Sequence, residues 1–184
     1  MRVPVPAAVA DMNLVRTIGA AALAAVCGSL PLHAQSVSGG RFVADAQSGC
    51  KVWNPHPQSG ETAVWSGACR DGFADGAGRL QWMRDGKPTE RDDGDWRQGR
   101  QEGRGRQDWG SGRYDGDLVA GEPQGQGVLM LQSGRYEGGF AAGKPNGTGT
   151  MISIEGSFHG LWKDGCLVGD TRRIAIGVSS AQCR

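Results

Sequence analysis

Neither sign of charge prevails in this sequence, where 20 Lys and Arg stand against 19 Asp and Glu. Without a surplus of Lys and Arg a chain cannot displace the counterions condensed on a phosphate backbone, so nucleic acid is excluded as a partner and any polyanion is disfavoured. Apolar residues are also few, at 38%, below the usual globular share, which argues against one large central core. The spacing needed for a metal site is missing, because Cys50, His56 and Cys69 include no CxxC pair and have no fourth ligand nearby. Of the three histidines, His33 falls in the amino-terminal segment, His56 in the proline-flanked Asn54-Pro-His-Pro loop and His159 at an outward strand position. None has an obvious Ser, Cys or Asp partner, so no catalytic residue and no cofactor is expected. No helical period appears between residues 60 and 170. The several Gly-x-Gly copies therefore lack the helix that a phosphate-cradling loop requires.

What the chain does have is glycine, 32 of 184 residues, about 17% against a typical ~7%. The glycines are periodic. Gly94, Gly116, Gly138 and Gly160 form one series; Gly99, Gly121, Gly143 and Gly165 a second; Gly103, Gly125, Gly147 and Gly169 a third; Gly105, Gly127 and Gly149 a fourth, all at steps of 22 residues. A step back of 27 reaches Gly67, Gly72, Gly76 and Gly78, an earlier copy followed by a five-residue insertion around Met83 to Thr89. Five units result.

Units open on an aromatic-x-Gly pattern at Trp65, Tyr114, Tyr136 and Phe158, with Asp92 in that place in the second unit, and the same parity leads on to Trp96, Leu118, Phe140 and Trp162. Strand side chains alternate between faces, so rings, glycine and large apolar groups line one face while Asp115, Asp117 and Glu137 line the other. After a turn such as Val-Ala-Gly-Glu, Gly-x-Gly leads to Leu80, Gln107, Leu129 or Met151 on the same face, so each unit reads as a β-hairpin. Glycines inside strands are expected to leave room for rings from the neighbouring hairpin. The rings Trp65, Trp96, Tyr114, Tyr136, Phe140, Phe158 and Trp162 should stack as a ladder, either as core or as an open binding platform; core is expected, since a single layer has little else to bury.

Repeated in this way, the pattern resembles the MORN repeat, and the clearest copies are Tyr114-Asp-Gly-Asp-Leu with Gly121 and Gly125-Gln-Gly127, and Tyr136-Glu-Gly-Gly-Phe with Gly143 and Gly147-Thr-Gly149. The resemblance spans about 105 residues, Trp65 to Gly169. Asp92 and Leu118 depart from it, which weakens a ligand inference more than the fold. The resemblance implies a protein-interaction or membrane-association module, of a kind also attached to enzyme domains; residues 35–62 and 170–184 are too short to hold such a domain and the array supplies no convergent acid, base and nucleophile, so no enzyme is expected.

Thr17 to Leu32 is a small, apolar run after Arg16 and before Leu32-His33-Ala34, the form of a cleaved export signal that starts at Met1 or at Met12. Its ~16 residues fall short of the ~20 that span a bilayer, and Val26 precedes Cys27 where a lipid-attachment site wants a small residue. Removing residues 1 to 34 takes Arg2, Arg16 and Asp11, leaving 18 basic and 18 acidic side chains. It also leaves Cys50, Cys69, Cys166 and Cys183, an even number that suits disulfides in an oxidising compartment. Three connectivities are open; pairing within each sequence-local pair, Cys50 with Cys69 and Cys166 with Cys183, is the expected one because the pairs bracket the array.

The expected fold is all-β, an elongated single antiparallel sheet of about five tandem hairpins, roughly 48 Å long at ~4.8 Å per strand, with short disulfide-linked caps. Residues 1–34 are the signal, 35–62 an amino-terminal cap, 63–169 the array, and 170–184 a cap strand and tail; Lys51-Val52-Trp53 and Ile174 to Val178 alternate like strands that cover sheet edges. Arg97, Arg100, Arg104 and Arg106 invite an anionic-lipid reading, but Arg91 to Arg113 holds six positive and five negative side chains, the composition of a solvated ion-paired face. The expected role is a non-catalytic periplasmic or secreted scaffold for a protein or envelope component; the alternative is a membrane-peripheral protein on anionic headgroups.

Overall fold

The computed structural model describes residues 39–183; the export signal expected over residues 1–34 lies outside the described residues. Twelve strands make one sheet: β1 (Arg41–Ala44), β2 (Lys51–Asn54), β3 (Glu61–Arg70), β4 (Phe73–Arg84), β5 (Lys87–Arg97), β6 (Arg100–Asp108), β7 (Gly112–Val119), β8 (Glu122–Leu131), β9 (Gly134–Ala141), β10 (Lys144–Ser153), β11 (Gly156–Lys163) and β12 (Cys166–Leu167). From β3 to β12 each strand pairs antiparallel with the next, giving five consecutive hairpins. The insertion after the first hairpin lengthens β4 and β5 about a turn at Asp85-Gly86.

Each hairpin closes on two residues with positive φ: Asp71-Gly72, Gln98-Gly99, Ala120-Gly121, Ala142-Gly143 and Asp164-Gly165. That is the dihedral signature of a type I′ turn, whose twist matches that of the flanking strands. The sequence points to glycine at these turns; the residue before it adopts φ of 47 to 52° as well, a conformation that strains alanine and suits aspartate.

Register shifts at Gly67/Cys69, Gly94/Asp95, Gly116/Leu118 and Pro145/Gly149 place a bulge in four hairpins, and bulges bend the strand that carries them. The turn tips then bond to one another. Gly99 N–H donates to the Ala74 carbonyl, Gly121 to Gln101, Gly143 to Pro123 and Gly165 to Pro145, at 2.8 to 3.0 Å. The array is thus held by two ladders, one through the strands and one through the tips.

The amino-terminal hairpin β1–β2 extends the tip ladder instead of lying along the edge of the array. Lys51 N–H donates to the Gly72 carbonyl and Trp53 N–H to that of Gly99; beside β3 there is only the Asp45–Ala63 bridge. At the other end Ile174 to Val178 is not a strand, yet Leu167 N–H bonds Ile174 and Ile176 N–H bonds Gly165, covering the short β12. Disulfides join Cys50 to Cys69 and Cys166 to Cys183.

A row of facing glycines crosses the sheet: Gly67, Gly78, Gly94, Gly105, Gly116, Gly127, Gly138, Gly149 and Gly160 are register partners in turn. Rings lie over this row. A methyl group on Gly127 would strike the Tyr114 ring, one on Gly149 the Tyr136 ring and one on Gly78 the Trp65 ring. In each case the ring comes from the same hairpin, not from the neighbouring one as the sequence suggests. The side chain leans along its own strand, so that its polar tip reaches the bulge: Tyr114 Oη donates to the Asp117 carbonyl at 2.8 Å, Tyr136 Oη to Gly139 at 3.1 Å and Trp65 Nε1 to Ala68 at 3.0 Å. Neighbouring hairpins meet ring edge to ring face, with Tyr114 at 5.0 Å from Phe140 and Tyr136 at 5.1 Å from Trp162, and within β9 Tyr136 meets Phe140 in the same way at 5.3 Å.

Tyr136 is fully buried, so Tyr136→Ala should cost about 3 to 5 kcal/mol, read as a lowered melting temperature. Glu137→Gln on the outer face should move it by less than about 0.5 kcal/mol; equal small shifts would refute this choice of buried face. The chain has two tyrosines, and burial raises both phenols, Tyr136 to about 12 and Tyr114 also upward, helped by the Asp117 charge. Both are therefore favoured in the neutral form on folding. The stability they contribute is intact below pH ~10 and falls as pH rises towards 12. Tyrosinate absorbance should appear above the ordinary phenol range and together with unfolding; free ionisation near pH ~10 in folded protein would contradict the burial.

Candidate functional site

The second hairpin, β5–β6, breaks the pattern of its neighbours at three core positions. Asp92 stands where other units have Trp65, Tyr114, Tyr136 and Phe158; Gln101 where they have Ala74, Pro123, Pro145 and Leu167; Gln107 where they have Leu80, Leu129 and Met151. All three are inside, at 3%, 1% and 9% exposure. The apolar core accordingly divides here into one cluster from Cys50 to Trp96 and another from Tyr114 to Ile176.

Gln101 takes the place of the missing ring, its Nε2 lying against Gly94 and Gly105 and donating to the Asp93 carbonyl at 3.2 Å. Gln107 Nε2 in turn donates to Gln101 Oε1 at 3.1 Å and to the Gly121 carbonyl at 2.9 Å. The two amides satisfy each other. Asp92 is different: Oδ2 accepts from Trp82 Nε1 at 3.0 Å, while Oδ1 is buried with no donor, and the Trp96 indole N–H is buried with no acceptor.

These groups surround a cavity of about 290 Å³ walled by Trp53, Trp82, Trp96 and Trp109. Its acids are Glu61, Glu90, Asp92 and Glu122, with His56 at the mouth and no Lys or Arg in the lining. Trp53 and the His56 loop belong to the amino-terminal hairpin, so its docking on the turn tips completes the wall. Glu61 is neutralised, since Oε1 pairs with Arg84 Nη2 at 3.1 Å and Oε2 accepts from Asn54 and from the Gln58 N–H. His56 Nε2 lies 3.6 Å from Glu122 Oε1. Burial, and then the charge of Glu90, push Asp92 well above the usual carboxylate range; burial raises Glu90 too.

The sequence-expected residues fall elsewhere. Trp65, Tyr114, Tyr136, Phe140, Phe158 and Trp162 are core, and of the ladder only Trp96 also faces the cavity. Trp65 meets Trp96 at 5.1 Å and Tyr114 meets Phe140 at 5.0 Å. The row is interrupted between Trp96 and Tyr114, where Asp92 replaces a ring. From sequence, Asp92 counts as a lapse that weakens a ligand inference; the structure reverses that weight, because three polar replacements in one hairpin open a cavity together. Their coincidence in a single repeat was the available signal. His159 is exposed with Nδ1 2.8 Å from Thr150 Oγ1. The arginine cluster is interleaved with acids across the strands, Asp93 facing Arg106 and Arg106 facing Asp115, Arg104 facing Asp117, and Arg79 and Arg91 both paired to Asp93.

Glycine-punctuated hairpins stacked strand on strand and tip on tip define a β-hairpin repeat array. Three consecutive segments of it, residues 93–112, 114–134 and 136–158, match the MORN repeat, a repeat of non-catalytic type. No curated protein matches the chain.

A buried acid with a raised pKa favours the folded state most below its unfolded value, and that benefit is lost as pH rises through the folded value. Asp92 should therefore weigh against folding increasingly above pH ~4. Asp92→Asn keeps the acceptor for Trp82 and removes the charge; it should raise stability at pH ~8 by about 1 kcal/mol or more, the scale of an unsatisfied buried polar group, with the gain vanishing at low pH. A variant that melts lower than the parent at both values would contradict this.

Proposed function

We propose that the protein is a non-catalytic recognition scaffold that works in the periplasm or after secretion and holds a protein or other component of the cell envelope. The observation that carries this reading is the polar break in the second hairpin. In an array stabilised by rings over glycines, three buried polar residues around a cavity break the local rule of the fold, and such breaks concentrate at binding sites. Two disulfides suit an oxidising compartment, and among the described residues no helix is long and apolar enough to cross a membrane. Acids stand across the strands from Arg104 and Arg106, so this face gives no uniform cationic surface for anionic headgroups.

Glu122 stands at the cavity mouth and Glu137 on the outer face. In cross-linking of the full chain to envelope extract, Glu122→Lys should abolish capture of a defined species that Glu137→Lys leaves intact. Equal capture by both variants would overturn the placement. Flotation of the protein with vesicles rich in anionic lipid would replace the scaffold reading with membrane docking.

A further inference from the structure

We propose that the cavity at the second hairpin is a site for an organic ammonium ion, whose N–H groups are taken by Asp92 and Glu90 and whose carbon stem lies between indole walls. This deepens the recognition role proposed above and rests on it.

The cavity leaves two groups unmet, the Asp92 acceptor and the Trp96 N–H donor, and the ligand chemistry is set by the first, because an unmet buried group costs more when it is charged. Asp92 is 3% exposed and its Oδ1 accepts from no nitrogen or hydroxyl among the described residues; the neighbouring Glu90 carboxyl meets it only while the pair holds a proton, so an occupant that replaces that proton brings a donor. No cation lines the cavity. Of its acids, Glu61 is matched by Arg84 and Glu122 is beside His56 at the mouth, which leaves Glu90 and Asp92 on β5 as charge without a buried counterpart. Four tryptophans line the cavity; a face of Trp53 is already taken by the Arg100 guanidinium at 3.9 Å and the Trp82 edge by Asp92, and indole rings attract ammonium ions more strongly where water is excluded. A volume of about 290 Å³ admits a small group or one side-chain terminus. A neutral sugar also suits carboxylates and indoles, but its hydroxyls bring nothing to offset paired acids.

Binding should release a proton. With one carboxyl of the Asp92–Glu90 pair protonated, an entering ammonium takes over the proton's role, so affinity rises with pH. The other charged groups facing the cavity are Glu61 with Arg84, and His56 with Glu122; Asp93 is turned to the outer face with Arg79 and Arg91.

The probe is putrescine, titrated into the full chain and followed by tryptophan fluorescence and by the indole N–H resonances of Trp82 and Trp96, beside sodium chloride at matched ionic strength and methyl glucoside. A saturable response to putrescine is expected, weakened about tenfold or more, ~1.4 kcal/mol, by Asp92→Asn and by Glu90→Gln, with Glu137→Gln binding as the parent does. Retained indole dispersion certifies that each variant folds. A putrescine response no larger than that of salt, a saturable response to the glucoside alone, or unchanged affinity in both acid variants overturns the proposal. If putrescine fails while Glu122→Lys still abolishes envelope capture, the scaffold stands and the cation site falls; if putrescine binds and no capture depends on Glu122, the reverse holds.

Discussion

A ring laid over a pair of facing glycines is the contact on which the rest of this array depends. A single-layer sheet has no second layer to bury its apolar face, so burial must come from within the hairpin. Glycine at Gly116 and Gly127, or at Gly138 and Gly149, lets a tyrosine lie flat on its own backbone, and the hydroxyl then fastens to the carbonyl exposed by the bulge. The bulge bends the hairpin, the bend brings the tips together, and the tips bond in their own ladder. Each step needs the one before it.

In the second hairpin that contact is withheld. Gly94 and Gly105 are still there, facing each other as the glycines of the first, third and fourth units do, but the ring is not. Gln101 fills part of the space, two amides close on each other, and the remainder stays open above a carboxylate. Removing one ring from a repeating stack changes its neighbours on both sides, which is why Trp96 and Trp109 face a cavity while Phe140 and Trp162 are enclosed. The site is a vacancy in a periodic structure, built from substitution and not from insertion.

Much of this was legible in the sequence, because a period of 22 set by glycine is written in one dimension. Hairpin number, the buried face and the disulfide partners followed from Gly94, Gly116, Gly138 and Gly160, from the parity of Tyr114 and Leu118, and from cysteines placed at the two ends. The features that were not legible depended on the third dimension. That Tyr136 leans over its own Gly149 follows from a bulge whose position no parity rule gives, and the amino-terminal hairpin bonds Gly72 and Gly99 because the tips curl back to meet it. The cavity needs Trp53 from that hairpin and Gly121 from the third, residues brought together only by the bend.

The placement of the two disulfides has a consequence for how the array comes apart. Within the array from β3 to β12 every hairpin pairs only with the ones before and after it, so that part of the chain behaves as a row of coupled units in which loss of order starts most readily at an end and travels inward. Here one bond ties the amino-terminal hairpin to β3 and the other ties the tail to β12, the two places where such peeling would begin. Under tension, or in front of a protease that feeds on loose termini, the outermost units cannot unravel first. Mechanical failure is then displaced to the interior, where the least apolar link in the row is the hairpin that carries Asp92.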